Sequence, residues 1–316
     1  MKKLTLLFTL AFSSLTQAWV IDGLGDYKFE KLNNSVHVMH GPLENPGEQN
    51  YGFINNPAFI EGDNGLIVID PSSSKFSGDN ILTEIETITT KPVVAVINTH
   101  VHGDHWLGNH AIKDKYPNAK FYAHMNMIRE AEFGEAERWA QVFNNVSPKF
   151  KGTIPVIPKY SINHKDVLNI EGQKFVIHSP LPSSHSSSDI MIEHTNSKTL
   201  FAGDNAFNAR MGQFDGQSNM LDNIKILKYA KSLNMDAYVP GHGPSGTVDT
   251  AIDLYLNYLV IIEQESRKGY EEDLADYEIK PFANKRLSDY YNWSGYDEQL
   301  GKHINKMLLE IEALDL

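Results

Sequence analysis

A β-branched run expected to be a buried strand, Val93–Asn98, leads directly into Thr99-His100-Val101-His102-Gly103-Asp104-His105-Trp106, and this junction constrains the chain more than any other feature. Scattering 13 histidines over 316 residues gives His-x-His-x-Asp-His in only about one chain in a thousand. His100 and His102 are two apart, so an extended backbone points them the same way, while Asp104 and His105 follow the turn and face a second position. One loop can therefore serve two metal ions. Imidazole and carboxylate donors suit zinc, and iron or manganese accepts the same donors.

The chain has no cysteine, which excludes a disulfide framework, a thiolate nucleophile and a thiolate metal ligand. A formal charge of −12 and the lack of any basic run argue against nucleic acid or an anionic membrane surface as the main partner, and the expected partner is a small-molecule substrate. Lys2 and Lys3, the apolar stretch from Leu4 to Leu15 and Thr16-Gln17-Ala18 read as a signal peptide over residues 1–18, too short for an ordinary membrane span. The expectation is a periplasmic or secreted protein with no stable membrane insertion after cleavage. Residues 19–316 are expected to form a single domain with a C-terminal helical extension from about residue 247. Oligomeric state is not legible here.

Strands are expected at Val36–His40, Ala58–Glu61, Leu66–Asp70, Val93–Asn98 and Lys120–Ala123, with helices over Ser77–Thr89 and Leu107–Lys115 and a long polar helix over Met125–Phe143. From Val167 the pattern begins again, with strands at Val167–Ile170, Lys174–Ser179, Asp189–His194, Thr199–Ala202 and Ala237–Pro240 around a helix over Asn219–Leu233. Helices over Thr247–Arg267 and Gly301–Ala313 close the chain, joined by a polar link over residues 269–297.

Three further donors each follow an expected strand: His185 in Ser183-Ser184-His185-Ser186, Asp204 in Ala202-Gly203-Asp204, and His242 in Pro240-Gly241-His242-Gly243. Together with the first motif, this set resembles the metallo-β-lactamase-fold superfamily. Its five signature motifs appear in order: Asp70 ending a strand, the His100–His105 segment, His185, Asp204 and His242. The resemblance implies an α/β fold, a four-layer αββα sandwich of two mixed β-sheets flanked by helices. It implies two Zn2+ per chain: one held by His100, His102 and His185, the other by Asp104, His105 and His242, with Asp204 bridging and Asp70 supporting the ligand loop. The most familiar zinc β-lactamases of this fold carry cysteine or serine where Asp204 stands. A bridging aspartate resembles the thioesterases, lactonases and phosphodiesterases of the superfamily. Val38-Met39-His40-Gly41-Pro42 and Asn98-Thr99-His100 are similar to exported members linked with quinoprotein and sulfur-oxidation systems.

The expected chemistry is a metal-dependent hydrolysis in which a metal-bridging hydroxide attacks an ester, lactone, thioester or lactam, with Asp104 as the catalytic carboxylate. Trp106 beside the loop and Arg210 six residues after Asp204 are candidate substrate-binding residues, the arginine for an anionic substrate. The helix Met125–Phe143 and the proline-rich loop after it are a candidate cover for the site. Alternatives in other classes are an iron-dependent sulfur or oxygen redox enzyme, a β-lactamase proper, and a non-catalytic metal-binding protein. His37, His40, His110, His124, His164, His178, His194 and His303 lack a matching partner motif and read as structural.

Overall fold

The computed structural model describes residues 24–315; the signal peptide expected over 1–18 lies outside them. Among the described residues, two sheets form. The first holds β1 (Glu30–Lys31), β2 (Val36–Val38), β3 (Ala58–Glu61), β4 (Leu66–Ile69), β5 (Val93–Ile97), β6 (Lys120–His124) and β7 (Tyr160–Ile162), side by side in chain order. The second holds β8 (Val167–Ile170), β9 (Gln173–His178), β10 (Met191–His194), β11 (Thr199–Phe207) and β12 (Ala237–His242), again as neighbours in sequence. Each sheet begins as an antiparallel meander and becomes parallel where a helix intervenes, from β4 onward in the first and between β11 and β12 in the second. Both sheets are therefore mixed, as the family resemblance implied.

The period-2 alternation of β4 shows how the layers assemble. Ile67 and Ile69 pack between the sheets with Ile97, Phe175, Ile177, Ile192 and Phe201, whereas Leu66 and Val68 face the opposite way. On that outer side lie α1 (Lys75–Ile88), α2 (Gly103–Trp106) and α3 (Asn109–Lys115). Ser74 caps α1: its hydroxyl accepts from Ser77 N, while Ser77 Oγ accepts from Ser74 N. Ile81, Leu82 and Ile85 bury against the sheet, each contributing about 1.5–3 kcal/mol. The stripe stops short of Ile88, which is exposed.

The expected single helix over Met125–Phe143 is corrected. The chain runs as α4 (Met125–Glu130), a π-helical segment Ala131–Glu135, and α5 (Ala136–Val146). The break is at Gly134, whose φ of 121° is open to glycine and strained for other residues. The second sheet is covered by α6 (Met220–Ser232), the short α7 (Val248–Ala251), α8 (Asp253–Glu271), α9 (Asp276–Arg286) and α10 (Tyr296–Glu312). The link over 269–297 is corrected as well, since it contains α9, which buries Ile279 and Ala283. Its apolar residues are too sparse for periodicity to reveal it. No helix of the described residues is long and apolar enough to cross a membrane.

Candidate metal centre

Strand ends bring the predicted donors together at one edge of the two sheets. His100, His102, Asp104 and His105 leave β5, His185 stands in the loop before β10, Asp204 lies within β11, and His242 ends β12. Irregular pairing between β11 and β12, with shifts at Gly203 and Phe207, accompanies the placing of Asp204 in the cluster. A Cβ on Gly241 would run into the Asp204 carboxylate, so only glycine fits there.

The donors fall into two groups, His100, His102, His185 and Asp204 in one and Asp104, His105 and His242 in the other, with donor atoms within 4.8 Å of one another in each. Asp204 touches both. Its Oδ2 lies 3.3 Å from His185 Nε2 and 3.3 Å from His242 Nε2, and its Oδ1 lies 3.1 Å from His105 Nε2. His102 Nδ1 lies 2.9 Å from His185 Nε2, and Asp104 Oδ2 lies 3.3 Å from His242 Nε2. A tetrahedral ion with bonds of about 2.0–2.1 Å needs donors roughly 3.4 Å apart. Moreover, His100 Nε2, His105 Nε2 and Asp204 Oδ1 are buried without a hydrogen-bond partner. Such orphaned atoms are costly unless a cation completes them, so these residues fit metal ions.

The second ring nitrogens of His105 and His242 are held by the protein. Asp70 Oδ2 accepts from Thr99 Oγ1 at 2.6 Å and lies 2.8 Å from His105 Nδ1, while Oδ1 accepts from Thr99 N at 2.8 Å. His242 Nδ1 donates to Ile54 O at 2.8 Å. These contacts turn Nε2 of His105 and of His242 toward the cluster. Burial pushes His185 down to about 3, and burial with the nearby His105 pushes His100 well below its usual range. Burial would raise Asp104 and Asp204, but the surrounding histidines outweigh it and hold both carboxyls below their usual range. His105 and His242 are raised against the effect of burial by the carboxylates around them. Ionised carboxylates with neutral His100 and His185 are a donor state ready for cations.

A cavity of about 310 Å³ opens on the cluster, lined by His102, Asp104, His185, Asp204 and His242 together with Arg138, Trp139, Phe143, Phe207, Arg210, Phe214 and Asp215. Arg210 reaches it. Trp106 does not: it is fully buried, donates its indole N–H to Val101 O at 2.7 Å, and packs with Leu107, Met127 and Phe143. Trp139 on α5 takes the place expected of Trp106, its ring 4.9 Å from that of His102. Asp215 was missed by sequence reasoning. Its Oδ1 accepts from Gln217 N and Ser218 N, its own N–H donates to Ser218 Oγ, and its Oδ2 lies 3.8 Å from His102 Nε2. Ser218 Oγ also donates to His185 O at 2.7 Å, so one turn bears on two ligands of the same group.

The C-terminal helices hold the loop that carries Arg210. His303 of α10 donates through Nε2 to Gly212 O at 3.0 Å and meets Tyr258 OH of α8 through Nδ1 at 2.9 Å. Met211 N donates to Ser294 O, and Ser294 N donates to Ala209 O, both at 2.9 Å. Other histidines outside the cluster have local tasks: His178 bridges Tyr229 and Glu193, and Nδ1 of His124 accepts from Asn126 N.

Two mixed sheets packed between helices, with carboxylate and imidazole groups gathered at one edge, define a metal-binding αββα protein. The chain belongs to the metallo-beta-lactamase superfamily, whose family profile matches residues 50–242. A probable metallo-hydrolase of Streptococcus pyogenes serotype M6 is 27% identical over 201 residues, covering 61% of this chain and 81% of that protein. A metallo-beta-lactamase from Pontibacter korlensis superposes with a TM-score of 0.59 at 16% identity, covering 74% of this chain and 98% of that one. A stereoselective inverting sec-alkylsulfatase from Pseudomonas sp. superposes with a TM-score of 0.68 at 18% identity over 89% of this chain, which spans 50% of the sulfatase. At these identities the structural likenesses define the fold.

Proposed function

We propose that the chain is an exported hydrolase that holds two zinc ions and cleaves an ester, lactone, thioester or lactam of modest size. The observation that carries the reading is the Asp204 carboxylate, which reaches a histidine of each donor group at 3.1–3.3 Å. His100, His102 and His185 would hold one ion and Asp104, His105 and His242 the other, with Asp204 shared between them. When bound, the pair activates a water as nucleophile near neutral pH and polarises the oxygen of the electrophile.

The chain's own residues do the rest. Asp104 lines the cavity, is ionised, and sits at the junction of His105 and His242, where its carboxylate can orient the nucleophile and accept its proton. Trp139, Phe143, Phe207 and Phe214 make the cavity wall apolar and restrict water around the electrophile. Export rests on Lys2, Lys3, the apolar stretch that follows and the small residues before the expected cut after Ala18.

The test is elemental mass spectrometry on protein purified without added metal or chelator, followed by hydrolysis assays of wild type and Asp104→Asn. About two zinc ions per chain and a large loss of hydrolysis in Asp104→Asn are expected. Undiminished hydrolysis in the variant sinks the role of Asp104. Iron as the dominant metal with oxygen consumption replaces the hydrolase reading with a redox one, and full metal loading without turnover replaces it with metal binding alone.

A further inference from the structure

His242 stands in Pro240-Gly241-His242-Gly243-Pro244, a run with little means of holding its own shape. Its two prolines lack an N–H and its two glycines have the widest choice of backbone angles, Gly243 taking a φ of 85°. β12, which ends there, is an edge strand paired only with β11. The carbonyls of the run are held from outside, by two asparagines. Asn56, shortly before β3, donates through its side-chain amide to Pro240 O at 2.9 Å and to Gly243 O at 2.6 Å, and through its backbone N–H to Gly241 O at 2.9 Å. Asn208, directly after β11, donates through its backbone N–H to His242 O at 3.1 Å and through its amide to Pro244 O at 2.9 Å. Every carbonyl from Pro240 to Pro244 thus accepts from one of these two residues.

Residues beside the asparagines hold the ring. Ile54 O accepts from His242 Nδ1 at 2.8 Å, and the Phe207 ring stacks on the imidazole at 5.5 Å with the planes 2° apart. Ile54–Asn56 and Phe207–Asn208 therefore each grip both the backbone and the ring of one histidine of the cluster. The buried Asn56 amide is fully committed, since its Oδ1 accepts from Gly41 N at 3.1 Å and both of its hydrogens go to the two carbonyls. Next to it, Asn55 donates to the backbone carbonyl of Asp70 at 2.9 Å, the residue whose carboxylate faces His105. One short segment leading into β3 thus bears on both histidines of the group that contains Asp104.

We infer that Asn56 is a positioning residue for this group: its amide seats His242 and so sets how tightly the ion proposed for Asp104, His105 and His242 is held, without acting on the other group. The inference rests on the two-ion reading above and adds a residue outside the donor set on which one of the two ions depends. A ligand moved from its place weakens the ion it serves, and groups that only orient ligands change affinity by about 10–100-fold.

The experiment counts zinc during chelator competition on purified wild type, Asn56→Asp, Asn56→Ser and Ile279→Ala, with the melting temperature of each metal-free protein measured alongside. Asn56→Asp keeps the side-chain volume and the oxygen that receives Gly41 N, removes both donors and turns a carboxylate oxygen on two carbonyls. It is expected to hold one ion as wild type does and the other about 10–100-fold more weakly. Asn56→Ser removes the amide without adding charge and is expected to weaken the same ion. Ile279→Ala empties a buried place in α9 that takes no part in the cluster, and is expected to lower the melting temperature while both affinities stay as in wild type. Cobalt in place of zinc identifies the ion: singly loaded Asn56→Asp is expected to give the absorption spectrum of singly loaded His242→Ala and not that of His185→Ala. Asn56 variants that hold both ions as tightly as wild type overturn the inference. Equal weakening of the two ions, or a loss no greater than in Ile279→Ala, overturns it as well, and Asn56→Ser decides by the same readings where Asn56→Asp does not fold. Wild type that binds a single ion removes the two-ion reading; the inference then stands if the Asn56 variants weaken that ion more than Ile279→Ala does, and falls if they do not.

Discussion

Asp70 Oδ2 lies 2.8 Å from Nδ1 of His105, and the same carboxylate accepts the backbone N–H and hydroxyl of Thr99, the residue before His100. One side chain at the end of β4 thus fixes the ring of a donor in one group and the backbone leading to a donor in the other. Its φ of 49° is in the left-handed region, where aspartate and asparagine are among the better tolerated residues.

Asp70→Asn keeps the backbone conformation and removes the charge. An amide cannot satisfy Thr99 N, Thr99 Oγ1 and His105 Nδ1 together, so His105 loses its fixed tautomer. Metal affinity is expected to fall about 10–100-fold, chiefly in the group with Asp104 and His242. Chelator competition with zinc counted at each step checks this; wild-type retention of both ions refutes it.

Asp215→Asn acts on the other group. Asparagine keeps the oxygen that receives Gln217 N and Ser218 N, so the turn survives, while the charge facing His102 Nε2 is removed. The expected result is weaker binding of the ion proposed for His100, His102 and His185, by about tenfold, with little change in melting temperature of the metal-free protein. The double variant with Asp70→Asn separates the two losses, since each carboxylate serves a different group.

The two tryptophans are expected to behave oppositely. Trp106→Ala opens a void in a fully buried cluster and frees the Val101 carbonyl, costing about 3–5 kcal/mol of stability in urea denaturation. Trp139→Ala removes a cavity wall and raises KM, with a smaller stability loss. Equal stability losses in the two variants contradict the assignment.

Burial pushes His303 down to about 4, and the ring is neutral in the fold. The unfolded chain, with an ordinary histidine near 6.5, binds the extra proton between these values, so stability rises with pH across that window. The stabilisation is complete above about pH 6.5 and is lost as pH falls toward 4, on the order of 3 kcal/mol for this group. His303→Gln is expected to flatten the slope between pH 6.5 and 4. Urea midpoints at pH 4.5 and 7 for both proteins measure it, and an unchanged slope rules out His303 as the source.

Local patterns carried much of the fold. β3 and β8 occur at the residues their alternation indicated, and most other strands differ by a residue or two at the ends. Where the reading failed, apolar spacing was a poor guide to the backbone. The long helix over Met125–Phe143 broke at Gly134 because one positive φ redirects a chain whose apolar spacing continues on both sides. The polar sequence of α9 buries only Ile279 and Ala283, too little for a periodic stripe.

The sequence by itself determined the donor chemistry. Without cysteine, and with His-x-His-x-Asp-His after a strand, any metal centre had to be built of imidazole and carboxylate. Tertiary structure decided which donors share a group, that Asp204 reaches both, that Trp139 rather than Trp106 faces the cavity, and that Asp215 stands behind His102. The physical reason is that periodicity reports whether a side chain is buried, not what it is buried against. Partners so distant in sequence are chosen by how two sheets and the helices upon them pack, and only that packing leaves a buried guanidinium facing a metal centre.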